Sequence, residues 1–131
     1  MKQVKILIIE DNKLILSMMQ NMFEALNYKV DVATTAAEAI YQIVNNPYQL
    51  IISDIGLPDA NGVELVEEIR LLEKKQGRLS AYICGATAFD LEQYRQPCFE
   101  VGFDEVVSKP MNMHFLKHLL VKAQFHFSKA C

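Results

Sequence analysis

Val4-Lys5-Ile6-Leu7-Ile8-Ile9, followed at once by Glu10-Asp11, decides how the rest of the chain is read. A strand with one face in water alternates apolar and polar side chains. This run does not alternate, so both of its faces must be covered. Leu50-Ile51-Ile52, leading into Ser53-Asp54, repeats the pattern. Sheets covered on both faces are mostly parallel, and the covers are helices.

Helical periods lie between such runs. From Lys13 to Leu26, apolar Leu16, Met19, Phe23 and Leu26 recur every three or four residues, with Asp11 or Asn12 as cap. A short strand, Lys29 to Ala33, follows. Thr34 or Thr35 caps a second helix whose inner face carries Ala36, Ala39, Ile40 and Ile43, and Pro47 stops it. After Asp54 comes Gly56-Leu57-Pro58-Asp59-Ala60-Asn61-Gly62, dense in turn formers. A third helix with Val63, Val66, Ile69 and Leu72 inward ends at Gly77. Ala81 to Cys84 reads as strand four, and Ala88 to Glu100 as a weaker helix, since Pro97 removes a backbone donor. Val106-Val107 reads as strand five, and the last helix carries Met113, Leu116, Leu119, Leu120 and Ala123. Strict strand–helix alternation predicts one α/β domain over residues 1–131, with helices on both faces of a parallel sheet.

Composition agrees. Of 131 residues, 51% are hydrophobic and 22% charged, as in ordinary globular proteins. No apolar run is long enough for a membrane span, and the N-terminus does not read as a signal peptide. The formal net charge of −3 comes without a basic stripe, which argues against a dedicated nucleic-acid binder. The three cysteines, Cys84, Cys98 and Cys131, have no metal-knuckle or disulfide spacing, and point to reduced thiols in a cytoplasmic setting. Cys84 reads as core and Cys131 as exposed.

Ligands of open parallel sheets bind beyond the carboxyl ends of the strands. Strand one ends on Glu10-Asp11, strand three on Asp54, strand four on Thr87 and strand five on Lys109-Pro110. Each has an ordinary reading alone: a solvated acid, a turn, a helix cap, a surface lysine. Together they place three carboxylates, a hydroxyl and an ammonium at one edge. Crowded carboxylates repel, and a hard cation such as Mg²⁺ relieves them while keeping room for a phosphoryl oxygen. Lys109 and Thr87 complete an electrostatic cradle, and Asp54 has the chemistry of a nucleophile that forms an acyl phosphate.

The segments IIEDN (8–12), IISDIGLPDANG (51–62), GAT (85–87) and VVSKP (106–110) resemble the receiver domain of two-component response regulators. The resemblance runs from Lys5 to about Leu120. It implies a flavodoxin-like three-layer sandwich, with a five-stranded parallel sheet in the order 2-1-3-4-5 and five helices. It implies that Asp54 accepts the phosphoryl group. Asp11 would bind Mg²⁺ directly, Glu10 largely through water, and Gly56 through its backbone carbonyl. Thr87 would turn toward the phosphoryl group, and Lys109 would pair with it, its bond to Pro110 being cis. The implied partners are a histidine kinase or a histidine phosphotransfer protein, with a possible downstream target. Such a domain catalyses only its own phosphorylation and dephosphorylation. The wording SDIGLPD and SKP looks like receivers attached to hybrid sensor histidine kinases.

Two departures stand out. Val106 occupies a place where the family usually has Tyr or Phe, and Pro97 falls within helix four and predicts a bent or shortened helix. Valine is stiff, so any signal to helix four is expected through residues 88–90; alternatively, the chain relays phosphate without an output face. The alternatives are a flavin or nucleotide binder, an aspartate-nucleophile phosphatase and a scaffolding pseudo-receiver. The acidic loop after strand one speaks against the first, and Gly56 in place of a second aspartate against the second. The full set of acids, Thr87 and Lys109 speaks against the third. His114 and His118, four apart, read as a solvated face, and the methionines as core filling.

Overall fold

The computed structural model describes residues 4–57, 61–88 and 91–130. The elements alternate throughout: β1 (Ile6–Ile9), α1 (Lys13–Ala25), β2 (Val30–Ala33), α2 (Ala36–Asn45), β3 (Leu50–Asp54), α3 (Gly62–Gln76), β4 (Tyr82–Thr87), α4 (Leu91–Val101), β5 (Glu105–Ser108) and α5 (Met113–Ala130). The sheet order is β2-β1-β3-β4-β5, and every pairing is parallel.

The unbroken aliphatic runs have the anticipated cause. Successive strand residues point to opposite faces. Leu7, Ile9 and Ile51 enter a core with α2, α3 and α4, where Ala39, Ile43, Leu65, Val66, Ile69 and Cys98 are buried. Ile6, Ile8, Leu50 and Ile52 enter a second core with α1 and α5, where Leu16, Met19, Phe23, Leu116, Leu119 and Ala123 are buried. The sheet is therefore the middle of three layers.

Local chemistry fixes the helix ends. Asn12 caps α1, its side chain accepting from the Leu14 and Ile15 amides at 3.0 and 3.1 Å. Thr35 caps α2 by accepting from the Glu38 amide, and Glu38 reaches back to the Thr34 amide at 3.0 Å. Gly77 closes α3 in the left-handed region, at φ 63°.

Four readings are revised. β4 runs on to Thr87, beyond Cys84. On α3, Val66 and Ile69 are buried, but Leu65 and Glu73 are buried too, while Val63 and Leu72 are only partly covered. α4 starts at Leu91 rather than Ala88 and is not broken at Pro97, which sits inside it. Proline removes one amide donor, but Cys98 beside it is fully buried and accepts from the Phe103 amide, so tertiary contacts hold the last turn. His118 is not simply solvated: its Nε2 lies 3.0 Å from Glu105 Oε2 on β5, while His114 is exposed. Cys84 is core, as read. Pro58, Asp59, Ala60, Phe89, Asp90 and Cys131 lie outside the described residues, and with them the assignment of Cys131 and part of the 88–90 route.

Candidate functional site

β1 and β3 are neighbours, and their register aligns Ile9 with Ser53, so Glu10 and Asp54 follow one step later at the same edge. β3 and β4 align Asp54 with Ala86, which puts Thr87 one residue beyond. β4 and β5 align Thr87 with Ser108, and the Lys109 amide donates to the Thr87 carbonyl at 2.8 Å. The parallel register alone thus delivers the four strand ends to one crevice.

Glu10, Asp11 and Asp54 each present a carboxylate oxygen, and these oxygens lie within 4.8 Å of one another. The Lys109 ammonium reaches in at 2.7 Å from Glu10 Oε1 and 3.2 Å from Asp54 Oδ2. Backbone amides hold the other oxygens: Asn12 N–H donates to Glu10 Oε2 and Gly56 N–H to Asp54 Oδ1, both at 3.1 Å. Glu10, Asp54 and Thr87 are buried, and Asp11 is exposed. The Lys109–Pro110 peptide is cis, as the resemblance implied.

The electrostatics follow from this crowding. Burial pushes the Glu10 carboxyl above its usual range, and the Asp54 charge adds to that rise. The bond from Lys109 and the Asn12 amide pull in the other direction without cancelling it. For Lys109, burial favours the neutral amine, but the bond to Glu10 and the charges of Asp54 and Glu10 outweigh it, so its pKa is raised. The lysine is therefore firmly an ammonium.

The turn after Asp54 is braced against the strand that carries it. Gly62 N–H donates to the Ile55 carbonyl at 2.7 Å, and Gly56 bridges to Asn61. A Cβ on Gly62 would lie 2.7 Å from Ile55 Cα and 2.8 Å from the Asp54 carbonyl, so only glycine allows this approach. That role was not apparent in the sequence beyond a general turn signal. Nor was the cleft of about 70 Å³ beside the acids, lined by Ile15, Met18, Met19, Met22, Lys109 and Met111 among others. Four of the methionines read as core filling, Met18, Met19, Met22 and Met111, line this cleft, and Met18 is half exposed.

The donor set fits a hard divalent cation. All three side chains offer carboxylate oxygens, with no sulfur or imidazole among them, which is the ligand chemistry of Mg²⁺. Three acids facing one ammonium also leave uncompensated negative charge, which a cation relieves.

A family model described as the response regulator receiver domain matches residues 6–121. The chain belongs to the receiver domain family. It is 28% identical over 121 residues to hybrid signal transduction histidine kinase L of Dictyostelium discoideum, covering 90% of this chain and 7% of that protein. It is 28% identical over 115 residues to the sensor histidine kinase RcsC of Salmonella typhimurium, covering 88% of this chain and 12% of that protein. The receiver thus spans a small fraction of these curated relatives. A CheY-like receiver structure from Methanospirillum hungatei superposes with a TM-score of 0.86 at 26% identity, over 98% of this chain and 99% of that one. The receiver of Ssk1, solved with the phosphotransfer protein Ypd1 of Saccharomyces cerevisiae, shares the fold: TM-score 0.83, 24% identity, 92% of this chain and 88% of that one. The receiver identity, the 2-1-3-4-5 sheet and the likeness to hybrid and sensor kinase receivers agree with the sequence reading. Among the described residues, no helix is long and apolar enough to cross a membrane.

Proposed function

We propose that this receiver, acting as a single domain over residues 1–131, takes a phosphoryl group on Asp54 from phosphohistidine of a histidine kinase or a histidine phosphotransfer protein. The observation that carries this reading is the Lys109 ammonium, 3.2 Å from a buried Asp54 that shares its crevice with Glu10 and Asp11. A carboxylate oxygen of Asp54 forms the new P–O bond as the P–N bond to the donor imidazole breaks, and the released imidazole takes up a proton. Glu10, Asp11, Asp54 and the Gly56 carbonyl would hold Mg²⁺, with Glu10 acting largely through water. Bound there, the ion supplies charge neutralisation for the phosphoryl oxygens. Lys109 neutralises charge from the other side, and Thr87, at the end of the adjacent strand, supplies a hydroxyl donor. Water then hydrolyses the acyl phosphate. The chain's chemistry is confined to its own phosphorylation and dephosphorylation, in a cytoplasmic setting consistent with free Cys84 and Cys98.

On this reading the donor docks on the α1 side of the crevice, where Leu14 (72% exposed) and Met18 (49%) lie one helical turn apart and Met18 lines the cleft. An apolar helix face on the donor matches this rim. The phosphotransfer protein solved with the Ssk1 receiver is a partner of the required kind. A downstream target is a further partner.

Acetyl phosphate with Mg²⁺, followed by intact mass, tests the acceptor. The wild-type chain should gain one phosphoryl group and Asp54→Asn none. Equal uptake by the variant, with the wild-type time course, would remove Asp54 from this role.

A further inference from the structure

Gly85 has no conformational reason to be glycine. Among the described glycines only Gly77 and Gly102 have positive φ. Its reason is space. A Cβ on Gly85 would lie 2.5 Å from Phe103 Cε1, 2.8 Å from Phe103 Cδ1 and 3.4 Å from Ile55 Cδ1. The bare backbone of β4 is a notch, and the Phe103 ring and the tip of Ile55 both lie over it. Phe103 is 3% exposed and belongs to the core that contains Ile55, Cys98 and Val106.

The three sides of this notch belong to three parts of the molecule. Ile55 directly follows Asp54, and its amide donates to the Ala86 carbonyl at 3.0 Å. Gly85 lies two residues before Thr87 on the same strand. Phe103 follows α4 by two residues and is tied to its last turn: its amide donates to the Cys98 carbonyl at 3.0 Å, across Gly102 at φ 115°. Arg70 clamps the Gly102 carbonyl from α3 with Nε and Nη2, at 3.0 and 2.6 Å. The backbone that carries the ring is therefore tied to the last turn of α4 and to α3.

We propose that Phe103 is the side chain through which phosphorylation of Asp54 is sensed at the C-terminal turn of α4. This inference rests on Asp54 being the acceptor. A phosphoryl group brings up to two negative charges into a crevice where Asp54 Oδ1 already uses the Gly56 amide. The new oxygens compete for that amide and for Lys109, so the segment 54–56 shifts and carries Ile55 with it. Close-packed interiors do not absorb such a shift smoothly, and a ring seated on bare backbone has no slack on that side. The ring moves, and Cys98, bonded to its backbone, moves the last turn of α4, where Phe99 is 47% exposed. A partner reading that turn senses the phosphate through Phe103, with no displacement of Val106 required.

Ring-labelled phenylalanine NMR on the wild-type chain, with Mg²⁺ and beryllofluoride as the phosphoryl mimic, tests this directly. The Phe103 ring signals should shift saturably with the mimic. In Phe103→Leu, the mimic-induced change in amide protection across 98–105 should fall at least ~3-fold, while the rate of phosphorylation by acetyl phosphate stays within ~2-fold of wild type. Should the variant fail to fold, the wild-type ring spectrum decides alone. A chain that takes up phosphate while the Phe103 ring stays unmoved overturns the role of the ring. An undiminished response in folded Phe103→Leu does so as well. A wild-type chain that takes up no phosphate at all removes the acceptor reading beneath it.

Discussion

Two clusters of partly buried charge lie at opposite edges of the sheet, and they use their charges differently. At the N-terminal edge of β4 and β5, Arg70 spends its donors completely. Nη1 bonds Glu73 Oε1 and the Ala81 carbonyl, both at 2.9 Å, Nη2 bonds Asp104 Oδ2 at 3.0 Å, and the Gly102 carbonyl takes the rest. The two acids are also capped, Glu73 by the Ala81 amide at 2.7 Å and Asp104 by the Ile83 amide at 2.8 Å. At the C-terminal edge, one ammonium faces three acids, and Asp11 is left to solvent. In the first cluster every Arg70 donor is used, and each acid holds both the guanidinium and a backbone amide. The second places three acids around one ammonium, the imbalance that the proposed binding of a cation and a phosphoryl group would relieve.

Removing charge should therefore have opposite consequences at the two edges. The largest effect is the chemical one already given for Asp54→Asn, whose phosphate uptake should vanish while its unfolding free energy in urea falls by no more than ~0.5 kcal/mol, since an acid leaves an acid-rich cluster. Arg70→Met should do the reverse. It strands Glu73 and Asp104 in a poorly hydrated place and unclamps Gly102, at a cost of about 3 kcal/mol in urea unfolding. The protein that remains folded should still take up phosphate. If Arg70→Met costs less than ~1 kcal/mol, or if Asp54→Asn is the more damaging to stability, the contrast between the edges fails.

The next effect concerns the metal. Asp11 is the exposed member of the carboxylate set, whereas Glu10 and Asp54 are buried and each accepts from a backbone amide. Asp11→Ala should therefore weaken Mg²⁺ binding at least ~10-fold, about 1.4 kcal/mol, with little change in stability. Isothermal titration with Mg²⁺ measures this directly. Wild-type affinity in the variant would remove Asp11 from the site.

What the sequence disclosed and what it concealed divide along the same line. Strand ends are local facts. Aliphatic runs gave β1 and β3, and the residues after them gave Glu10, Asp11 and Asp54, because a parallel register brings all carboxyl ends to one edge. Lys109 and Thr87 followed in the same way. Contacts made across the fold left no local trace. Arg70 meets Asp104 and Gly102 from thirty-odd residues away, and His118 finds Glu105 from another element. The notch at Gly85 looks like any strand glycine until Phe103 is seen above it. Pro97 weakens the reading of α4 because the proline rule is local, whereas the burial of Cys98 that anchors the helix against the core is not. Lys109 lies nearer to Glu10 than to Asp54, which no spacing rule could show.

That preference gives the smallest and most specific test of the open cluster. Burial holds the Glu10 pKa above its ordinary 4.5, and the Lys109 hydrogen bond and charge are among the forces restraining the rise. Lys109→Gln removes that restraint, so the Glu10 pKa should climb further. A carboxyl with a raised folded pKa binds more protons folded than unfolded between the two values. Its contribution to stability therefore falls as pH rises through that window. In the variant the fall should continue to higher pH than in wild type. At the alkaline end the sign concerns the lysine itself. Its folded pKa is raised above 10.5, so its contribution is fully present below that value and is lost as pH climbs through the folded one. Lys109→Gln has nothing to lose there and should show a flatter alkaline limb. Carboxyl-carbon NMR titration of Glu10, with urea midpoints taken on both limbs, reads both effects. A Glu10 midpoint that stays put or drops in Lys109→Gln would mean that the ammonium is not what restrains this carboxylate, and the open cluster would need another source of balance.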